Sequence, residues 1–268
     1  MKYKMIASDF DGTIFSHRSF TVPERVQNAL HRYIREGGKF IITTGRMFTS
    51  IRPHLQNLGL HGEVLCVQGA MCYDIDSGKE LFNLDMSNQN AYTLTKLAEE
   101  HGWIAQIYNG LDMLTERPNP YTEFYKDLCN VTPVYLGEKA SEYVRRTGCT
   151  LHKIIIMSTP EEAARKIEII RAACPELDVS QSTPEYIEAV DKRSGKGNAV
   201  LAMAARFGLT PADVAAFGDQ TNDLSMLRAA AFAACPENAV QAVKDASDVV
   251  AKDVEEGGMA DVIEWILE

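Results

Sequence analysis

The chain of 268 residues has no apolar run approaching the ~20 residues a membrane-spanning helix needs. Its opening, Met1-Lys2-Tyr3-Lys4-Met5-Ile6, reaches the acidic Asp9 and Asp11 without the long apolar stretch of a signal peptide. Clustered positive charge is missing too. Against 27 Lys and Arg stand 37 Asp and Glu, a formal net charge of −10, and a nucleic-acid partner, which needs Lys and Arg gathered on one face, is excluded. The six cysteines, Cys66, Cys72, Cys129, Cys149, Cys174 and Cys235, form no C-x-x-C pair and no His-linked metal spacing, and the histidines form no H-x-x-x-H. They read as buried, reduced thiols of a cytoplasmic protein. No low-complexity tract or fixed-period repeat interrupts the chain.

What is present is ordinary globular material. Hydrophobic residues make up 46% and charged residues 24%, enough for a sizeable core and against wholesale disorder. The length allows one or two domains. Met5-Ile6-Ala7 is a short apolar strand that ends abruptly in Asp9-Phe10-Asp11-Gly12-Thr13. Thr21-Val22-Pro23-Glu24 fits a capping box, and Val26, Leu30, Tyr33 and Ile34 follow at helical spacing. Phe40-Ile41-Ile42 is a second strand, Ile51, Leu55 and Leu58 mark a second helix, and Val64-Leu65-Cys66-Val67 is a third strand. That alternation predicts a parallel, doubly wound sheet.

The rhythm then changes. Met71-Cys72-Tyr73 and Leu81-Phe82 predict a hairpin, and residues 85–185 mix hairpin signals such as Asn109-Gly110 with two helices, near 91–100 and 161–173. From Gly195 the alternation returns: a helix to Phe207, the strand Val214-Ala215-Ala216-Phe217, a helix beginning near Asn222, shorter strands at 232–233 and 249–250, and a last helix through Val262 and Ile266. The expected fold is therefore α/β. A Rossmann-like parallel-sheet core, 1–84 with 186–268 and helices on both faces, carries an inserted α+β cap domain at 85–185.

Three strands of the core end in polar clusters: Asp9/Asp11, Thr44/Arg46 and Asp219/Asn222/Asp223. In an open parallel sheet ligands sit beyond the carboxyl ends of the strands, so the clusters converge. Carboxylates crowded there resist joint ionisation. A hard divalent cation resolves the conflict, and carboxylate oxygens with a substrate phosphate are a natural shell for Mg²⁺. Asp9 then suits a nucleophile that needs no deprotonation. Asp11 suits a general acid and base. Thr44, the Gly45 amide, Lys196 and Asn222 offer donors for phosphoryl oxygens. Arg46 stands at the mouth and Asp223 supports.

Each piece has a bland counterpart. Asp-Gly is common in turns, Thr-Gly punctuates strand ends, and Asp219 and Asp223 suit a helix N-terminus. Ser194-Gly195-Lys196-Gly197 is no P-loop, because Val190 stands where glycine is required. The three strand-end clusters together with Lys196, in this order along the chain, are what the bland readings do not explain.

These residues resemble the haloacid dehalogenase superfamily of phosphohydrolases, and the layout is similar to its Cof-type branch with a large α/β cap. Asp9-Phe10-Asp11-Gly12-Thr13 is similar to the first motif, Ile42-Thr43-Thr44-Gly45-Arg46 to the second, Lys196-Gly197 to the third and Gly218-Asp219-Gln220-Thr221-Asn222-Asp223 to the fourth. Pro236-Glu237-Asn238-Ala239 and Gly257-Gly258-Met259-Ala260 resemble the branch's C-terminal pattern. The resemblance implies a Mg²⁺-dependent phosphatase for a small phosphorylated metabolite, a sugar phosphate or phosphorylated cofactor, with Asp9, Asp11 and Asp219 at the metal. The branch's usual Asn-Gly-Ala is replaced by Gln68-Gly69-Ala70, whose longer side chain displaces any substrate contact made there. Two other readings compete. A phosphomutase would need cap cations for a second phosphate, and Lys126, Arg145, Arg146 and Lys153 are available. A non-catalytic phosphometabolite sensor would not need both Asp9 and Asp11.

Overall fold

The computed structural model describes residues 1–129 and 131–268, without the side chains of Phe124, Tyr125, Asp127, Leu128, Cys129 and Ser182; the expected Cys129 thiol thus lies outside the described residues. The first strand, β1 (Met5–Ser8), is buried throughout, as suits the apolar run Met5-Ile6-Ala7 in a strand covered on both faces. Helix α1 (Glu24–Arg35), strand β2 (Lys39–Ile42), helix α2 (Phe48–Asn57) and strand β3 (Glu63–Cys66) follow. Val26, Leu30 and Tyr33 give α1 its buried stripe, whereas Ile34 is exposed. The expected capping box does not form: Pro23 precedes the helix with no side-chain cap, and Thr21 Oγ1 donates instead to the Val22 carbonyl.

The middle of the chain supplies β4 (Met71–Asp74), β5 (Glu80–Asn83), α3 (Asn88–Glu100), β6 (Ala105–Asn109), β7 (Asp112–Thr115), α4 (Pro120–Cys129) and β8 (Pro133–Tyr135). It closes with α5 (Ala140–Thr147), β9 (Lys153–Met157), α6 (Pro160–Ala173), β10 (Leu177–Thr183) and β11 (Tyr186–Asp191). Alternation then resumes with α7 (Lys196–Arg206), β12 (Val214–Phe217), α8 (Leu224–Ala229), β13 (Phe232–Pro236), α9 (Gln241–Lys244), β14 (Val249–Ala251) and α10 (Met259–Leu267).

The chain divides into two compact units, Met1–Thr44 with Gly62–Leu65 and Lys196–Glu268, and Gly45–His61 with Cys66–Gly195. In the first, five parallel strands lie in the order β14-β13-β12-β1-β2. Ser8 at the end of β1 is level with Phe217 of β12 on one side and Ile42 of β2 on the other. Residues that follow these strands therefore leave the sheet at one edge. Leu65 bridges in parallel to Thr43, and its carbonyl accepts the Thr44 N–H at 2.9 Å.

The second unit holds a six-stranded sheet, β10-β11-β9-β6-β7-β8, antiparallel except where β8 joins β7. Alternate residues Ile107, Ile154, Ile156 and Ile187 meet Leu94, Val144 and Ile170 of its helices. On the opposite face Tyr108, Ile155, Met157 and Tyr186 pack with Met47. The expected insert at 85–185 lies wholly inside this unit, which extends further because Met47 joins its core and β11 pairs with β9 and β10. Among the described residues four helices occupy the insert where two were expected. The short α5 escapes pattern reading because Ala140, Ser141 and Val144 are its buried residues, too few and too small to mark a period.

The Asn109-Gly110 turn does join β6 to β7. Buried His152 pins it: Nε2 accepts the Gly110 N–H at 2.7 Å, so Nδ1 carries the proton and faces Asp85. Cys66, Cys72, Cys149, Cys174 and Cys235 are free thiols, all but Cys149 buried. Among the described residues no helix is long and apolar enough to cross a membrane.

Candidate active site

The site is built from two neighbouring strands of the first unit. The Asp9 N–H donates to Phe217 O at 2.9 Å, extending the β1–β12 ladder by one residue and fixing Asp9 just past the sheet. Past Phe217 the chain passes Gly218 and enters a short 3₁₀ turn, Thr221–Asp223, that leads into α8. One oxygen each from Asp9, Asp219 and Asp223 lies within 4.8 Å of the others, and all three residues are buried.

Lys196, the first residue of α7 and 1% exposed, meets this group from the side. Its Nζ lies 2.7 Å from Asp9 Oδ1 and 2.6 Å from Asp223 Oδ1. Asp223 Oδ2 is also taken, accepting the N–H groups of Asp219 at 2.9 Å and Gln220 at 3.0 Å. Asp223 therefore acts mainly as a strut that holds the turn and aims the lysine. Asp219 is held by Thr13, whose hydroxyl donates to Oδ1 at 2.7 Å.

The electrostatics follow from burial. Desolvation pushes the Asp9 carboxyl well above the ordinary carboxylate range; Lys196 opposes, and Asp223, Asp219 and Asp11 add to the rise. Asp219 is pushed up to about 7, by burial first and Asp223 next. For Lys196 burial pulls the ammonium down, yet the pull of Asp223 and Asp9 outweighs it and the group stays charged. One ammonium against three buried carboxylates leaves the cluster under-neutralised. Asn222 Oδ1, on the same turn as Asp223, is buried with no hydrogen-bond partner among the described residues. Clustered carboxylate oxygens, a charge deficit and an orphaned amide oxygen form a donor set that fits a hard divalent cation.

The expected ligand Asp11 is not in that group. Gly12 turns the chain at φ +77°, Asp11 forms an isolated bridge with Phe15, and its carboxylate lies 3.2 Å from His17 Nε2. Gly12 is also where the two halves of the site touch, because a Cβ there would sit 2.5 Å from Asp219 Oδ2. Gly12→Ala is expected to cost about 1–2 kcal/mol for its left-handed backbone alone and more for displacing Asp219. A thermal melt checks this, and an unchanged midpoint would refute the close approach.

Asn238, quoted above for its motif alone, has a structural task. Its Nδ2 donates to the Gly12 carbonyl at 2.7 Å, and its Oδ1 accepts the Val254 N–H at 3.0 Å. His17 and the Thr13 hydroxyl carried no signal in the sequence, being single polar residues without a spacing partner. Thr44 is buried after β2, while Gly45 and Arg46 belong to the second unit. There the Gly45 carbonyl accepts from the fully buried Lys153 at 2.9 Å, and Lys153 Nζ lies 3.3 Å from Glu188. Arg46 Nη1 reaches Ser50 Oγ at 3.4 Å. Gln68, at φ 60°, donates its amide to Glu188 at 2.6 Å, so the side chain that departs from the family pattern is held by a carboxylate of its own unit.

Comparison with known proteins places this geometry in context. A family model of haloacid dehalogenase-like hydrolases matches residues 6–263. The Bacillus subtilis protein YxeH is 28% identical over 266 residues, 97% of each chain. The 5-amino-6-(5-phospho-D-ribitylamino)uracil phosphatase YwtE of Bacillus subtilis is 25% identical over 285 residues, 98% of each. Among solved structures, the subclass IIB sugar phosphatase BT4131 is similar with a TM-score of 0.84 and 22% identity over 98% of both chains, a likeness of fold.

Proposed function

Because the chain belongs to the haloacid dehalogenase-like hydrolase family, we propose that it is a Mg²⁺-dependent phosphatase of small phosphorylated metabolites, sugar phosphates or phosphorylated cofactors. The observation that carries this reading is the buried group of Asp9, Asp219 and Asp223 with Lys196 as its ammonium.

Asp9 and Asp219 would hold the cation, with Asp223 bracing the turn and the lysine beside them. When bound, it supplies the positive charge that lets an anionic phosphate approach three carboxylates. Asp9 attacks phosphorus with a carboxylate oxygen while the ester P–O bond breaks, giving an aspartyl phosphate and an alkoxide. Asp11 gives that alkoxide its proton. Asp11 then takes a proton from water as the water oxygen attacks phosphorus, and Asp9 leaves as carboxylate. Lys196 keeps Asp9 in place throughout. The Thr44 hydroxyl and the Asn222 amide are the proposed donors to the phosphoryl oxygens, where charge develops during transfer.

Hydrolysis is preferred to mutase chemistry because the candidate cations for a second phosphate are engaged. Lys153 is buried against Glu188, and Lys126, Arg145 and Arg146 pair with Glu123, Glu142 and Glu138. The free thiols among the described residues support the reading of a reducing compartment, the cytoplasm.

A panel of phosphorylated metabolites, with p-nitrophenyl phosphate as the general probe, tests the reading. Phosphate release is expected with Mg²⁺ and is expected to vanish in EDTA. Full turnover in metal-free buffer would sink the metal's role, and no turnover of any phosphomonoester would sink the activity.

A further inference from the structure

We propose that the outer edge of β14 is a self-association surface, on which a second copy of this chain docks antiparallel about a two-fold axis at Val250. β14 is the last strand of the five-stranded sheet, and among the described residues no strand pairs with its outer side. The other end of the sheet differs, since Thr43, just past β2, bridges to Leu65. Val249 and Val250 are 39% and 48% exposed. Successive strand residues point to opposite faces, so the edge is uncovered on both. The apolar surface continues beyond the strand: Trp265, 41% exposed, has its ring centroid 4.9 Å from that of Phe232, the first residue of β13. Native edges are commonly guarded by a lysine, a proline or a bulge within the strand, and Val249-Val250-Ala251 has none of these.

The flanking charges select the occupant. Asp248 precedes the strand and Lys252 follows it, and both are exposed. In an antiparallel pair centred on Val250, position 248 of each copy stands opposite position 252 of the other. Positions 248, 250 and 252 share one face of an extended segment, so an Asp248 meets a Lys252 twice per dimer, on either side of the paired valines. A parallel copy in the same register would set Asp248 against Asp248 and Lys252 against Lys252, which is repulsive. The segment thus carries its own complement read backwards, which a second copy supplies in full. Asp248 is also held beside the strand, because its Oδ2 accepts the Ala233 N–H at 2.8 Å.

The size of the assembly follows from the same edge. With one open edge on this sheet, like meets only like, and association stops at two copies instead of extending as a filament. The two five-stranded sheets then run on as one. A strand of three residues gives a small contact, so the dimer is weak and reversible. Each copy carries a net charge of −10, but salt screens that repulsion beyond about 8 Å, whereas the two pairs act at contact distance.

Sedimentation equilibrium between about 1 µM and about 500 µM covers the affinities expected of a small interface, with a thermal melt of each protein to show that it is folded. The wild-type chain is expected to pass reversibly from monomer to dimer and no further. Val250→Lys, which puts a charge on the axis, should hold the chain monomeric throughout. Lys252→Glu should weaken the dimer about tenfold, because it sets carboxylates opposite each other twice. Asp248→Lys combined with Lys252→Glu restores two opposite pairs and should recover most of that loss. Asp248→Asn combined with Lys252→Glu is a second rescue, since it lifts the repulsion and keeps the oxygen that accepts the Ala233 N–H. A wild-type chain monomeric at every concentration would overturn the proposal. So would a dimer that Val250→Lys leaves intact, an assembly larger than two, or folded double variants no better than Lys252→Glu alone.

Discussion

Asp9→Asn is expected to remove turnover, by at least about 10⁴-fold in kcat, and to raise the melting temperature of the metal-free protein. The two effects have one origin. Asp9 is buried beside two other buried carboxylates, and its pKa is driven up by desolvation, which Lys196 offsets only in part. An acid whose folded pKa lies above its unfolded value is destabilising wherever it is ionised in the unfolded chain, which includes neutral pH. The amide keeps the side chain's shape and an oxygen for Lys196 at the 2.7 Å position, and it removes both the charge and the nucleophile. Phosphate release and a thermal melt in EDTA check the pair. Near wild-type turnover would make Asp9 only a ligand, with water as the direct attacker. A lowered melting temperature would show that the Asp9–Lys196 ion pair outweighs the burial cost.

Lys196→Met should act in the opposite sense on stability. The thioether fills the same buried channel but leaves three carboxylates without their ammonium. Breaking a buried pair from one side costs about 3–5 kcal/mol, so the metal-free variant is expected to melt far below wild type. Mg²⁺ should then restore more stability to the variant than it adds to wild type, because a ligand that binds only the folded state stabilises it by mass action. Melts of both proteins in EDTA and in Mg²⁺ decide the matter. If Mg²⁺ raised the variant no more than wild type, the cation would not be sharing the charge of this cluster.

Much of this arrangement was legible in the residues. The runs Met5-Ile6-Ala7 and Val214–Phe217 are apolar, and polar clusters follow them closely, so β1, β12 and their convergent ends could be read from pattern. What could not be read was which oxygen points where. The pattern brought Asp11 to the strand ends with Asp9, but it could not show that the left-handed turn at Gly12 sets the Asp11 carboxylate 3.2 Å from His17 Nε2. Asp223 was expected in support, and the backbone N–H groups of Asp219 and Gln220, which no pattern reports, are what fix it in the group. Thr21-Val22-Pro23-Glu24 satisfied a capping rule that the chain does not use, since Thr21 turns to the Val22 carbonyl. Periodicity reports burial. It does not report hydrogen-bond partners more than a turn away.

The strand order also dictates when the enzyme can come into being during synthesis. β1 lies between β2 and β12, and β12 begins only at Val214. A nascent chain that has emerged through Gly195 holds every residue of the second unit. It also holds Asp9, but neither Asp219 nor Asp223 has yet been made. Until β12 docks, one edge of β1 has no partner, and an open strand edge recruits other chains. Residues 196–268 thus both close that edge and complete the carboxylate group, so a polypeptide truncated before them loses protection from aggregation and chemistry together.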